Sequence, residues 1–307
     1  MRLDLLLIQR HPSLSRRRAR DVIEKGQVDV DGVTLSEPGN EVSESSRIVW
    51  DENRKARARV RSPLPLLYQD ERLLIVDKPA GLLSVASAPG VADDCVTARM
   101  AEYAKRLHTR HPFIAAAHRL DRDTSGALAL ALDPHMRGAL RELFRAHAVE
   151  RRYLALVAGE PHADAGTIDA PIRDAYRDGR RGIAKPGEEG KPARTRYRVI
   201  ERLGGAALVE LRLETGRQHQ IRIHLAHLGH PVLGDATYGQ PATASRGVGR
   251  QMLHAEFLGF RHPDSRKPVS ARSPVPADFE AVLRRLRASR PRSPRGARPA
   301  RPAKRRS

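Results

Sequence analysis

Sulfur is almost missing from this chain. Cys95 is the one cysteine in 307 residues, which excludes an intramolecular disulfide and any cysteine-based zinc site. A reducing cytoplasm is the expected compartment. Long apolar runs are missing too, since nothing approaches the roughly 18 residues of a membrane span. The opening Met1-Arg2-Leu3-Asp4-Leu5-Leu6-Leu7-Ile8 is too short for a signal h-region, and no small-residue cleavage site follows it. A soluble intracellular protein with no membrane association is expected. There is no internal repeat and no His-Glu-x-x-His element.

Acid is missing from one end. From Arg284 to Ser307 there are ten arginines, one lysine and no carboxylate, so eleven of the twenty net positive charges lie in the last 24 residues. Residues 1–50 are neutral, with eight basic and eight acidic side chains, which leaves about +9 between the two ends. The charge and a pI near 11.1 point to a polyanionic partner, nucleic acid first. With 40% hydrophobic residues, the chain can bury a large domain and a small one.

Residues 1–50 read as a compact module. Ser15 is placed to cap a helix running to Lys25, with Gly26 just past its end and Ala19, Val22 and Ile23 on one face. Gln27 to Val30 alternates, Asp31-Gly32 supplies a hairpin turn, and Val33-Thr34-Leu35 returns. Residues 51–65 read as a polar linker. A second domain, 66–287, mixes strands (Leu73–Val76, Tyr153–Val157, Ala206–Leu213) with helices (His135–His147, a helix capped by Thr215 and ending at Leu228, and one after Pro276). The mixture lacks regular βαβ alternation, so the expected class is α+β. The Arg/Pro/Ala/Ser tail, 288–307, cannot bury a core and is expected to be disordered.

The densest chemistry is His118-Arg119-Leu120-Asp121-Arg122-Asp123-Thr124-Ser125-Gly126, an acid beside arginines and a turn, followed by the apolar run Ala127–Leu132. Other notable segments are Asp77-Lys78-Pro79-Ala80-Gly81-Leu82-Leu83, Val149-Glu150-Arg151-Arg152-Tyr153, Lys191-Pro192-Ala193-Arg194-Thr195-Arg196-Tyr197 and Leu253-His254-Ala255. The longest is Thr215-Gly216-Arg217-Gln218-His219-Gln220-Ile221-Arg222-Ile223-His224, followed by Gly229-His230-Pro231 and Gly234-Asp235. In kind and order, over residues 66–275, these resemble the RluA family of pseudouridine synthases. The helix-then-hairpin order of 1–50, with Arg16, Arg17, Arg18 and Arg20 around the helix start, resembles the S4 RNA-binding module. It departs from that module at Ser45-Ser46, where Gly-Asp usually precedes the last strand.

The resemblance implies a pseudouridine synthase fold, a mixed and largely antiparallel central sheet flanked by helices and loops, behind a small α/β RNA-binding module. It implies Asp121 as nucleophile, attacking the ribose or the uracil ring, and Arg222 as the cation that keeps the carboxylate charged. Tyr153 would lie against the uracil and Leu253 would floor the pocket. Arg119 would fill the space of the flipped base or hold a flanking phosphate, with Arg16, Arg17 and Arg20 as further RNA contacts. Flipping the base costs a few kcal/mol, and stacking on one aromatic returns about 1–3 kcal/mol. The product is an isomer of the substrate, so no cofactor or metal is expected.

The expected substrate is large-subunit ribosomal RNA, with transfer RNA as the alternative, and the expected state is a monomer. Two rivals stand beside this reading. A metal hydrolase built on His219, His224 and His227 suffers from its spacing, since i and i+5 lie about 140° apart on a helix. A non-catalytic ribosome-assembly factor would not need Asp121, Tyr153, Arg222 and Leu253 together. Deleting the chain after Arg287 is expected to weaken RNA binding without redirecting the modified position. A shifted position in a pseudouridine map of the truncated protein contradicts this.

Overall fold

A computed structural model describes residues 1–31, 33–34, 38–39, 42–54, 63–88, 93–107, 112–174, 180–239 and 247–289. Gly32, Leu35 and the basic tail from 290 onward therefore lie outside the described residues, as does most of the expected linker. The chain divides into two compact units, Met1–Arg61 and Ser62–Ser307.

The first unit contains α1 (Leu3–Arg10), α2 (Arg16–Glu24), β1 (Val28–Val30), β2 (Val33–Thr34) and β3 (Ile48–Trp50). Both β2 and β3 pair antiparallel with β1. As expected, Ser15 caps α2, its hydroxyl accepting from the Arg18 amide at 3.2 Å. Ala19, Val22 and Ile23 are buried against Val28 and Val30.

The helix α1 is a structural finding that the sequence reading did not anticipate. Leu3, Leu6 and Leu7 stand at helical spacing and are fully buried, so the opening apolar run is one face of a short helix. The structure also moves the end of the module past residue 50. Arg54 donates to both carboxylate oxygens of Asp29, and Gln27 donates to the carbonyls of Glu52 and Arg54. The start of the expected linker is thus tied into this unit.

The second unit is built on a ten-stranded sheet. In chain order its elements are β4 (Leu66–Gln69), β5 (Leu73–Lys78), α3 (Val96–Leu107), β6 (Ala115–Ala116), β7 (Ser125–Ala131), α4 (Pro134–Arg145), β8 (Glu150–Ala158) and β9 (Ala165–Asp169). The short β10 (Ile172–Arg173) and β11 (Gly182–Ile183) pair with each other; then come β12 (Arg194–Arg202), β13 (Ala206–Leu213), α5 (Gln220–His227), β14 (Leu253–Arg261), β15 (Pro268–Arg272) and α6 (Ala277–Ala288). The path through the sheet is β4-β5-β7-β14-β8-β13-β12-β9, with β15 on β14 and β6 on β7. Every pairing is antiparallel except β7 with β14. This is the expected α+β class with a mixed, largely antiparallel sheet.

Strand β7 lies inside the sheet and is buried along its whole length, which suits its run of small and aliphatic residues. Gly126 has φ +122°, and a Cβ there would sit 2.2 Å from the Ala255 carbonyl oxygen. Its missing side chain lets β14 approach directly behind the Asp121 turn. Ala127, Ala129 and Ala131 pack under Met136 and Leu140 of α4. Elsewhere Leu156, Leu208 and Leu233 pack against Phe279, Leu283 and Leu286 of α6.

Asp133 caps α4, accepting from the Met136 amide at 2.8 Å, while Arg72 donates to its carboxylate at 2.6 and 2.9 Å. The Arg72 hydrogen bond is the main reason that this carboxyl titrates low, at about 2. A carboxyl with a depressed folded pKa stabilises the protein above its unfolded value, near 4, and loses that contribution as pH falls through about 2. Asp133→Ala should therefore cost about 1–2 kcal/mol at pH 7. Its denaturation midpoint should converge with that of the native protein as the pH is lowered through this window. A deficit that stays constant with pH contradicts the assignment.

Candidate active site

Asp121 sits at the loop end of β7, in a turn pinned from several directions. Lys78, the last residue of β5, is fully buried, and its Nζ donates to the carbonyls of Pro79, Arg122 and Thr124 at 3.0, 2.8 and 2.7 Å. All three ammonium N–H groups are thereby used on backbone around the acid. Burial pulls Lys78 down to about 7, with the charges of Asp123 and Asp121 opposing it. Ser84 bonds both the amide and the carbonyl of Leu120. Gln251 donates to the Thr124 hydroxyl at 2.7 Å, and Arg250 to the Asp123 carbonyl at 3.1 Å.

Arg222 arrives from α5. The structure corrects the start of this helix: Thr215 does not cap it, and its first residue is Gln220. Residue 219 holds a left-handed backbone, φ +58°. The Gln220 amide fixes the turn instead. Its oxygen accepts from the Arg217 amide and the Thr215 hydroxyl, and its nitrogen donates to the Arg194 carbonyl and the Thr195 hydroxyl. A buried side chain with every donor and acceptor satisfied outcompetes the expected cap.

From α5 the Arg222 guanidinium bridges two carboxylates. Nη1 donates to Asp121 at 3.0 Å, while Nε and Nη2 grip Asp235 at 2.6 and 2.8 Å. Asp235 is fully buried and also accepts the amides of Thr237 and Tyr238. Burial works against both charges, yet their pairing lowers Asp235 and raises Arg222.

His219 faces the other Asp121 oxygen at 3.7 Å through Nε2, and its Nδ1 lies 3.0 Å from the Tyr238 hydroxyl. Nδ1 is thus taken up by the phenol, and Nε2 is the ring nitrogen turned towards Asp121. Burial is the main cause holding His219 below the usual histidine range.

The remaining expected residues line one cleft of about 1380 Å³ with Asp121 and Arg222. Tyr153 on β8 is 7% exposed, and burial raises its phenol so that it stays protonated at neutral pH. Leu253 opens β14 opposite Ala155, and Arg119 stands exposed in the lining. His254 bridges the Ser125 hydroxyl and the Ser273 carbonyl, and His118 accepts the Ala129 amide, both as structural hydrogen-bonders.

His224 is turned to the Thr195 hydroxyl and the Ala170 carbonyl, so both its ring nitrogens are engaged away from His219. The three arginines assigned to RNA in the first unit divide. Arg16 and Arg20 lie 3.9 and 3.4 Å from the fully buried Asp4, while remaining more than half exposed. Arg17 is exposed on the same helix. Sequence reasoning missed Lys78, His219, Asp235 and Tyr238 as parts of the site. Lys78, His219 and Asp235 stand inside the motifs named above and Tyr238 lies three residues beyond Asp235, and that was the available signal.

The arrangement offers a held carboxylate, a neutral phenol and an apolar wall in a cleft large enough for a nucleotide and its neighbours. The sequence profile of the RNA pseudouridylate synthase family matches residues 72–227, and that of the S4 domain matches residues 1–48. The chain is 37% identical to a protein of Xanthomonas campestris named ribosomal large subunit pseudouridine synthase D, over 93% of this chain and 89% of that one. It is 38% identical to an RNA pseudouridine synthase of Chloroflexus aurantiacus, over 93% and 90%. Human RNA pseudouridylate synthase domain containing 4 superposes with a TM-score of 0.59 at 30% identity, covering 72% of this chain and 92% of that one. The chain therefore belongs to the RluA-type RNA pseudouridine synthases, enzymes that isomerise uridine within RNA, and carries an S4 domain before its catalytic unit.

Proposed function

We propose that this enzyme acts on uridines of large-subunit ribosomal RNA, as a monomer in the cytoplasm, with Asp121 as its nucleophile. The observation that carries the chemical assignment is the 3.0 Å contact between Arg222 and one Asp121 oxygen, at the wall of a cleft shared with Tyr153 and Leu253. The ribosomal assignment rests on the names of the relatives and on the S4 domain.

In this reading a uridine leaves its stack and enters the cleft, lying against Tyr153 with Leu253 beneath. The Asp121 carboxylate then attacks, and the bond from uracil nitrogen 1 to the ribose anomeric carbon breaks. The base turns in the pocket, carbon 5 bonds to the anomeric carbon, and the carboxylate is released. Carbon 5 loses one proton and nitrogen 1 gains one. The protonated Tyr153 phenol relays it, accepting a proton as it gives up its own. Arg119 occupies the space of the flipped base, and Arg16, Arg17 and Arg20 hold flanking RNA. No net atom enters or leaves, so the chemistry calls for no second substrate.

Incubating native protein with an unmodified large-subunit transcript should create new carbodiimide-dependent stops in reverse transcription. Asp121→Asn should still bind the transcript but lose at least about 10³-fold in rate. Stops appearing only on transfer RNA overturn the substrate assignment, and native-like activity of Asp121→Asn overturns the nucleophile. Asp235→Asn tests the support behind it. Breaking this buried pair should cost about 3–5 kcal/mol of stability, and the displaced Arg222 about 10² in kcat. An unchanged kcat in folded Asp235→Asn contradicts that support.

A further inference from the structure

Arg151, two residues before Tyr153 on β8, is 8% exposed and lines the same cleft as Asp121, yet it has no carboxylate partner among the described residues. The other arginines most withdrawn from water all have one. Arg222 holds Asp235 and Asp121, Arg250 holds Asp278, Arg173 holds Glu188, and Arg152 holds Glu150. The Arg151 Nη2 makes two long bonds, 3.4 and 3.3 Å, to the carbonyls of Leu213 and Thr215. Its Nε is buried without any partner. Nearby lie the Phe144 ring, 5.7 Å from the guanidinium carbon, and His118, which burial and the Arg151 charge together push down to about 3. Among the described residues, none of these neighbours supplies a negative charge.

A buried guanidinium in that position is costly to the folded protein unless something neutralises it. The surroundings keep it there. A Cβ on Gly216 would come within 2.6 Å of Nη1, so the residue after Thr215 has no side chain where the guanidinium lies. Arg137 and Arg141, one turn apart on exposed positions of α4, line the rim of the same cleft. A guanidinium presents paired N–H donors that suit the oxygens of a phosphate.

We propose that Arg151 is a phosphate-binding subsite, receiving a backbone phosphate of the RNA next to the nucleotide drawn onto Tyr153, with Arg137 and Arg141 carrying the strand to it. This deepens the function proposed above and rests on it for the identity of the nucleic acid. It predicts an unusual pairing of effects, because an anion receptor burdens the free protein and rewards the complex.

The test uses full-length Arg151→Met and Arg151→Gln, each also in the Asp121→Asn background so that binding is read without turnover. The glutamine variant removes the charge but keeps amide donors for the two carbonyls. Neither variant should melt below the native protein, and both should bind a large-subunit transcript about tenfold more weakly. The slope of log affinity against log salt should become shallower by about 0.7–0.9. Inorganic phosphate should raise the native Tm and leave that of the variants unmoved.

A lowered Tm with unchanged RNA affinity and salt slope makes Arg151 a structural residue and overturns the proposal. Unchanged affinity with a slower single-turnover rate moves the charge from a phosphate to the departing base and overturns it as well. Should Arg151→Met fail to fold, Arg151→Gln decides by the same readings. If native protein binds the transcript but modifies no uridine in it, the substrate assignment fails, while the binding comparison still decides the role of Arg151.

Discussion

One guanidinium suspended between two carboxylates organises the catalytic unit. Arg222 is held from behind by Asp235, through two hydrogen bonds to a fully buried acid, and reaches forward to Asp121 with its remaining arm. A buried charge of this kind is tolerated because its geometry is nearly complete and every oxygen of Asp235 is occupied. It explains why β7, α5 and the segment after α5 must converge. It also leaves one oxygen of Asp121 uncommitted to Arg222, turned towards the His219 imidazole and the cleft.

The turn that carries the acid is rigid for a related reason. Lys78 and Ser84 from the chain at and after β5, and Arg250 and Gln251 from the stretch before β14, reach it and satisfy its backbone and side-chain groups. A carboxylate placed this way loses little freedom when substrate arrives, which is the general requirement for a preorganised site. Gly126 contributes by absence, allowing β14 to press against β7 immediately below the turn.

Much of this was legible in the residues alone. Asp121, Tyr153, Arg222 and Leu253 come from segments that are distant in sequence, and each segment carries an ordered motif. The strand Ala206–Leu213 and the helix after Pro276 follow from their hydrophobic periods. What escaped depends on contacts that a one-dimensional pattern does not encode. Asp235 lies thirteen residues from Arg222, and their pairing requires the chain to return after α5. Thr215 looked like a cap because Ser and Thr favour that role, but the Gln220 amide and the left-handed residue 219 delay the helix. Helix α1 was hidden in a run read only for what it was too short to be. Arg16 and Arg20 looked fully available, and the buried Asp4 that draws them in could not be anticipated without α1.

The central claim is that Asp121 and Arg222 act as a single unit, so the most direct measurement is a double-mutant cycle on the single-turnover rate of pseudouridine formation. If the guanidinium serves chiefly through the carboxylate, Asp121→Asn combined with Arg222→Leu will be no slower than Asp121→Asn alone, with each single change already removing most of the rate. Losses that multiply, or a folded Arg222→Leu enzyme that turns over at the native rate, would contradict the account.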